Sequence, residues 1–325
     1  MAPSNEIEEL KIHSSDYISD IKFFKDLKKF MVTSWDGSLG IYNYSNRDNV
    51  YIENVIHYVH PILCCCEVII NGKRKLYAGT VQGEILLLDE INNEFVKLNG
   101  IEINKGIPSL CAYRDKLICG SWNGSLHIID CHTNSVDFKI QLDGRKIFKM
   151  SSNDEKLILY ATNNTTLYFD LPLQKNSEGI KVESGLKFQT RDIALTPGGC
   201  GYVSSSVDGR VAVEYFDDES KKFAFRCHRM TLSDSQFVFP VNTICFIPNS
   251  NILYTGGSDG CVSCWNISSK RKVGQLPKIN ETSIVKLASN GDILLIATSD
   301  DSYKTNSSIP ENLELQPSMF YLLYL

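Results

Sequence analysis

The strongest constraint in this chain is a short turn pattern that recurs seven times. The segments are TSWDGSL (33–39), GTVQGEI (79–85), GSWNGSL (120–126), ATNNTTL (161–167), SSVDGRV (205–211), GSDGCV (257–262) and ATSDDSY (297–303). Laid in register, their turn positions are Gly37, Gly83, Gly124, Thr165, Gly209, Gly260 and Asp301, at intervals of 46, 41, 41, 44, 51 and 41 residues. Asp-Gly and Asn-Gly pairs favour tight hairpin turns, because glycine takes a positive φ without steric cost. An apolar residue follows six of the turns (Leu39, Ile85, Leu126, Leu167, Val211 and Val262) and alternation continues from it, as in LGIYNY and VAVEYF. Another short apolar strand precedes each unit: ISDIKF, PILCCCEV, IPSLCAY, KIFKMSS, RDIALTP, VNTICFIP and IVKLAS.

A period of 40–50 residues built from strands and turns predicts a β-propeller of WD-repeat type. Each blade reads as an inner strand a, a strand b ending at the turn, then strands c and d. The last repeat has strand a at 284–289, strand b at 293–299 and SMFYLLYL (318–325) as strand c, with a polar loop at 303–317 between the last two. Its outer strand is missing from the C-terminus, and IEELKI (7–12) can supply it. The expectation is an all-β, seven-bladed WD-repeat propeller, its ring closed by an N-terminal strand in the last blade. One domain over 1–325 follows, since no blade can bury both faces alone.

Composition narrows the function. The net charge of -5 disfavours broad nucleic-acid binding, and no apolar run approaches the ~20 residues that span a bilayer. The start, MAPSNEIEEL, has neither the basic nor the apolar region of a signal peptide, so a cytoplasmic or nuclear location is expected. The 11 cysteines are then read as reduced. Cys261 and Cys264 form one CxxC inside a strand, where their side chains point to opposite faces, so no metal is expected. No nucleophile elbow or phosphate-binding loop occurs, which argues against an enzyme.

Two columns of the register single out residues that the fold does not demand. The residue before the turn Asp-Gly is Trp35, Val81, Trp122, Asn163, Val207, Ser258 or Ser299. Tryptophan is thus optional there, and Trp35 and Trp122 either fill gaps between blades or anchor a peptide at the channel mouth. The residue after the turn is Ser38, Glu84, Ser125, Thr166, Arg210, Cys261 or Ser302, so Arg210 is the sole basic member. Strand c leaves the mouth and strand d returns to it. This puts Arg210 beside Arg226, His228 and Arg229, where pairing about the tip DDESKK leaves the partner of Arg210 open between the arginines. Guanidinium forks on one rim suit a phosphate; the alternative is ion pairing with carboxylates of the next blade. Arg191 begins strand a of the fifth blade at the same mouth, facing either a ligand or Asp192. His60, ahead of PILCC, stands where WD repeats often have a histidine that holds a turn aspartate, and is read as structural.

SWDGSL, HPILCC (60–65), GTVQGEI, ESGLKFQTRD (183–192), DGRVAVEYF (208–216), KKFAFRCHR (221–229) and GGSDG (256–260) together resemble the Bub-type WD-repeat family of the spindle assembly checkpoint, in its fungal branch. The resemblance covers nearly the whole chain. It implies a non-enzymatic adaptor of the nucleus and the mitotic kinetochore, without cofactor or metal. It implies two kinds of partner. One is the GLEBS segment of a checkpoint kinase and of a Mad-type protein, at Trp35, Trp122 and Arg191. The other is a phosphorylated Met-Glu-Leu-Thr repeat of an outer kinetochore scaffold, at Arg210 and Arg226, with His228 and Arg229 as further rim contacts. The mitotic checkpoint complex, and through it the anaphase-promoting complex, are implied indirect partners; direct nucleic acid and membrane are not, and the chain is expected to be monomeric apart from its partners. Two alternatives stand beside this: the related mRNA-export propeller, which binds a nucleoporin GLEBS segment, and a hydrolytic propeller.

Overall fold

A computed structural model describes residues 7–14, 16–46, 49–305 and 314–325. It contains seven four-stranded antiparallel sheets and one two-stranded ribbon. The sheets are the blades of a seven-bladed β-propeller. Six of them follow the sequence in order, while the seventh takes one strand from the N-terminal end of the chain. Among the described residues the helical content is a four-residue helix, Ser302–Thr305, and one 3₁₀ turn, Glu219–Lys221. The first of these falls in the expected polar loop, of which residues 306–313 lie outside the described part.

The chain forms two compact units. One, Ser19–Ser184 with Ile193–Leu195, carries the first four sheets. Its core lies between neighbouring sheets. Met31, Leu39 and Ile62 pack with Cys65 and Leu86; Cys64 and Tyr77 pack with Ile107 and Leu117; Ile118 and Leu126 pack with Ile147 and Phe169. The three consecutive cysteines show how a strand serves two such layers. Side chains alternate along a strand, so Cys64 and Cys66 enter one layer while Cys65 enters the other. Burial pushes all three thiols up, which keeps them protonated and inert.

The other unit, Met1–Ile18 with Gly185–Asp192 and Thr196–Leu325, carries the last three sheets. In the seventh sheet, Ser283–Ser289, Ile293–Ser299 and Ser318–Tyr324 are joined by the N-terminal strand Ile7–Ser14, as the missing outer strand requires. Two of the three second strands here, Gly201–Ser206 and Ile293–Ser299, are buried along their whole length. The small residues ahead of the turns have a specific cause. A Cβ added to Gly256 would lie 2.5 Å from Ile284 Cγ2, on the first strand of the next sheet. The neighbouring blade demands the small side chain at this position.

The turns differ in one respect from the expected two-residue type. In the first blade Gly37 N donates to Ser34 O (3.2 Å), Asp36 Oδ1 accepts from Ser38 N (2.9 Å), and the glycine carries the positive φ of +84°. The fourth repeat lacks that glycine. There Asn163 and Asn164 take the left-handed conformation (φ 62° and 53°), which asparagine tolerates.

Candidate functional site

The site is built on the third and fourth strands of the fifth sheet, Arg210–Tyr215 and Phe223–Arg226, and on the turn at 206–210. Gly209 has φ +64°, its carbonyl accepts from Cys227 N (3.0 Å), and a Cβ there would meet Cys227 O at 2.8 Å. Strand Phe223–Arg226 is thereby clamped to the turn. Its register sets Arg210 directly opposite Arg226. Side chains of directly paired residues share a face, with Cβ atoms about 5 Å apart, and like charges so placed destabilise the sheet.

Very little negative charge compensates this pair. Asp208 Oδ2 lies 3.0 Å from Arg210 Nε, off the N–H direction, so the contact is an ion pair without a good hydrogen bond. The other oxygen of Asp208 accepts from the Ser206 hydroxyl. Arg226 is exposed, and among the described residues no carboxylate lies within 4.0 Å of it. Arg229 joins the group from the side. Its Nη2 donates to Asp208 O (2.8 Å) and its Nη1 to Gln236 Oε1 (3.1 Å), while its Nε is buried without a partner. Three arginines are therefore brought together by this turn and strand pair, and the Asp208 carboxylate pairs with Arg210 alone. The expected alternative, neutralisation by carboxylates of the next blade, is absent among the described residues.

The end of the returning strand departs from expectation. The strand stops at Arg226 instead of running on to Arg229. His228 takes a positive φ of 49°, and Arg229 begins a separate ribbon, Arg229–Leu232 paired with Ser235–Val238. This ribbon is the source of the 51-residue interval. His228 itself is not a rim contact. Its side chain is 1% exposed; its Nδ1 lies 2.8 Å from Asp259 Oδ1 and its Nε2 2.9 Å from Thr255 Oγ1. Trp265 Nε1 donates to the same Thr255 hydroxyl (3.1 Å), and the Trp265 ring packs on Phe225 with centroids 4.2 Å apart. The turn-holding role expected of His60 belongs to His228. His60 is more open, with its Nε2 4.0 Å from Glu84 Oε2, because the second repeat has Gln82 where a turn aspartate would stand.

Next to Arg226 opens a cleft of about 610 Å³, lined by Arg229, Met230, Trp265, Lys272 and Lys278 among others. Lys272 Nζ lies 5.6 Å from the Trp265 ring centroid and donates to Gln275 Oε1 (2.7 Å), while Lys278 is paired with Glu281 (2.6 Å). Sequence reasoning missed both the ribbon and Lys272. The long interval was the one signal of the ribbon, and nothing in the repeat register distinguished Lys272.

The remaining candidates are placed as follows. In the unit with the first four sheets, Trp35 is exposed on the turn before Asp36. In that same unit Trp122 lies flat on Gly106: its backbone N donates to Gly106 O (2.9 Å), and a Cβ on Gly106 would meet its ring at 2.5 Å. Its indole Nε1 is buried without a hydrogen-bond partner. Arg191 belongs to the other unit and is exposed. Asp192 points elsewhere, with Oδ2 accepting from Ile244 N (3.0 Å). The Arg191 charge instead acts on Tyr17 and Tyr303, which meet edge to face at 6.0 Å. Burial pushes both phenols up, Tyr303 to about 12, and Arg191 opposes that shift.

Comparison with known proteins fits this architecture. Residues 226–266 match the model of the WD domain, G-beta repeat, the stretch that holds His228, Thr255, Asp259 and Trp265. The structure of U3-55K superposes with a TM-score of 0.78 over 99% of both chains at 15% identity, a likeness of fold alone. The Poly(A)+ RNA export protein of Schizosaccharomyces pombe is 27% identical over 93% of this chain and 88% of its own. The mitotic checkpoint protein bub3 of Dictyostelium discoideum is 31% identical, covering 91% of this chain and 90% of its own. The spindle assembly checkpoint protein bub3 of Schizosaccharomyces pombe is 32% identical, covering 88% and 89%. Identity at this level, sustained along both chains, shows that the chain belongs to the Bub3 family of WD-repeat mitotic checkpoint proteins.

Proposed function

We propose that this spindle checkpoint WD-repeat protein is a non-enzymatic adaptor that recognises two peptides. One is a phosphorylated Met-Glu-Leu-Thr repeat of the outer kinetochore scaffold, held at Arg210 and Arg226. The other is the GLEBS segment of a checkpoint kinase or Mad-type partner, contacted by Trp35, Trp122 and Arg191. Through both, the protein brings checkpoint signalling to unattached kinetochores in the nucleus of dividing cells.

The observation that carries this reading is the direct pairing of Arg210 with Arg226 beside a single aspartate. A fold gains nothing from two opposed guanidinium groups. A phosphothreonine, with about -1.5 to -2 charges, would relieve their repulsion and accept paired hydrogen bonds from both. The exposed ring of Trp35 and the half-buried ring of Trp122 support the second contact, because aromatic side chains beside a turn can anchor a peptide. The relative in RNA export favours a second reading, in which a GLEBS segment alone is bound. A pull-down from mitotic extract, with and without phosphatase, separates the two. Phosphatase should remove the kinetochore scaffold and leave the GLEBS partners. Identical capture in both samples would support the export reading.

A further inference from the structure

The ribbon Arg229–Leu232 with Ser235–Val238 has two unlike faces. One sits on the turn at 206–210: Arg229 donates to Asp208 O, and Val238 Cγ1 would lie 3.0 Å from a Cβ at Gly209. Its base is closed by Phe239 N donating to His228 O (3.0 Å). The other face carries Met230 and Leu232 on one strand, with Phe237 paired opposite Met230. These three side chains are 45%, 52% and 47% exposed. An isolated two-stranded ribbon has no sheet behind it, so three large apolar side chains on its outer face are costly in water.

Met230 also lines the cleft that holds Arg226 and Lys272. The apolar face and the basic cleft are therefore continuous. Of the charged groups lining the cleft, Lys278 is paired with Glu281, and the Asp259 carboxylate is committed to His228. Arg226 and Lys272 have no carboxylate partner among the described residues. Positive charge beside an apolar strip is complementary to an acidic segment with a bulky apolar residue.

We propose that the ribbon face and this cleft form one docking surface for the residues that flank the phosphothreonine. Acidic side chains of the bound segment face Lys272, and a bulky apolar residue covers Met230, Leu232 and Phe237. This rests on the phosphate reading of Arg210 and Arg226 and adds to it: the recognised segment is longer than the four-residue repeat, and its flanks are selected.

The test is calorimetry on the full chain with three peptides. One is a phosphorylated repeat with acidic and Leu or Phe flanks, the second is the same peptide unphosphorylated, and the third is a phosphorylated repeat with Gly/Ser flanks. The variants are Leu232→Ser with Phe237→Ser, both at exposed positions, and Lys272→Gln. The wild type should prefer the flanked over the plain phosphopeptide by about tenfold, the value of covering one large apolar side chain. The double variant should lose that preference and bind the plain phosphopeptide unchanged; Lys272→Gln should lose part of it. Equal wild-type affinity for both phosphopeptides, or a double variant that keeps the preference, would overturn the inference and leave the phosphate reading standing. A wild type that binds neither phosphopeptide, or binds the unphosphorylated one equally well, would overturn both.

Discussion

Arg226 and His228 stand two residues apart and have opposite roles. His228 is sealed in the blade, with both ring nitrogens engaged by Asp259 and Thr255. Removing it takes one hydrogen bond each from the Asp259 carboxylate and the Thr255 hydroxyl, worth about 0.5–3 kcal/mol apiece, and leaves a cavity. His228→Ala is expected to lower the melting temperature by several degrees. Arg226 faces water opposite a like charge, so Arg226→Ala should leave the melting temperature unchanged or raise it slightly. Thermal unfolding of the two variants checks this; a large drop for Arg226→Ala would make that arginine structural. Trp122 belongs with Arg226 in this contrast. Its ring is half-buried against Gly106, so Trp122→Ala should cost some stability, but it should weaken GLEBS-peptide binding more, by about tenfold or more. The opposite ranking in titration and melting curves would return Trp122 to packing alone.

At the level of the strand, register decides which residues meet. Symmetric pairing about DDESKK would have set Arg229 opposite Arg210, three residues from the true partner. The tip is asymmetric because Glu219–Lys221 wind into a 3₁₀ turn, capped by the Asp218 carboxylate accepting from Ser220 N (3.1 Å). Nothing in the residue pattern fixes such a turn, so the arginine pair was legible as a neighbourhood and not as a contact. The same strand carries Glu214, which is buried and accepts from Gly185 N. Burial pushes its carboxyl above the usual carboxylate range. The folded chain therefore keeps this proton to higher pH than the unfolded chain does. Ionising Glu214 costs stability above its folded pKa, and the cost disappears below the unfolded value. The wild type should accordingly lose stability relative to Glu214→Gln as pH rises through and above the ordinary carboxylate range. A constant difference in melting temperature across that range would show that Glu214 does not titrate differently in the fold.

For the molecule as a whole, the turn register was enough to read seven blades, because glycine and apolar alternation answer to backbone sterics and burial that every repeat shares. The N-terminal strand in the last sheet was legible for the same reason: an outer strand was missing and one apolar segment was unused. The ribbon at 229–238 was not legible, since MTLSDSQFV has no turn glycine and leaves its apolar residues exposed. His228 hid within the basic run FRCHR, where a structural histidine and a rim contact have the same letter. What distinguishes the candidate site is local charge on an acidic chain. With a net charge of -5, the collection of Arg210, Arg226 and Arg229 runs against the average surface. The direct test is calorimetric titration of a phosphorylated Met-Glu-Leu-Thr peptide and a GLEBS peptide into the wild type and the Arg210→Ala, Arg226→Ala double variant. Each charged hydrogen bond is worth about 1.5–3 kcal/mol before screening, so the variant should lose phosphopeptide binding by about a hundredfold or more. Its GLEBS affinity should stay unchanged. A double variant that binds the phosphopeptide as tightly as the wild type would contradict the assignment of these two arginines to a phosphate.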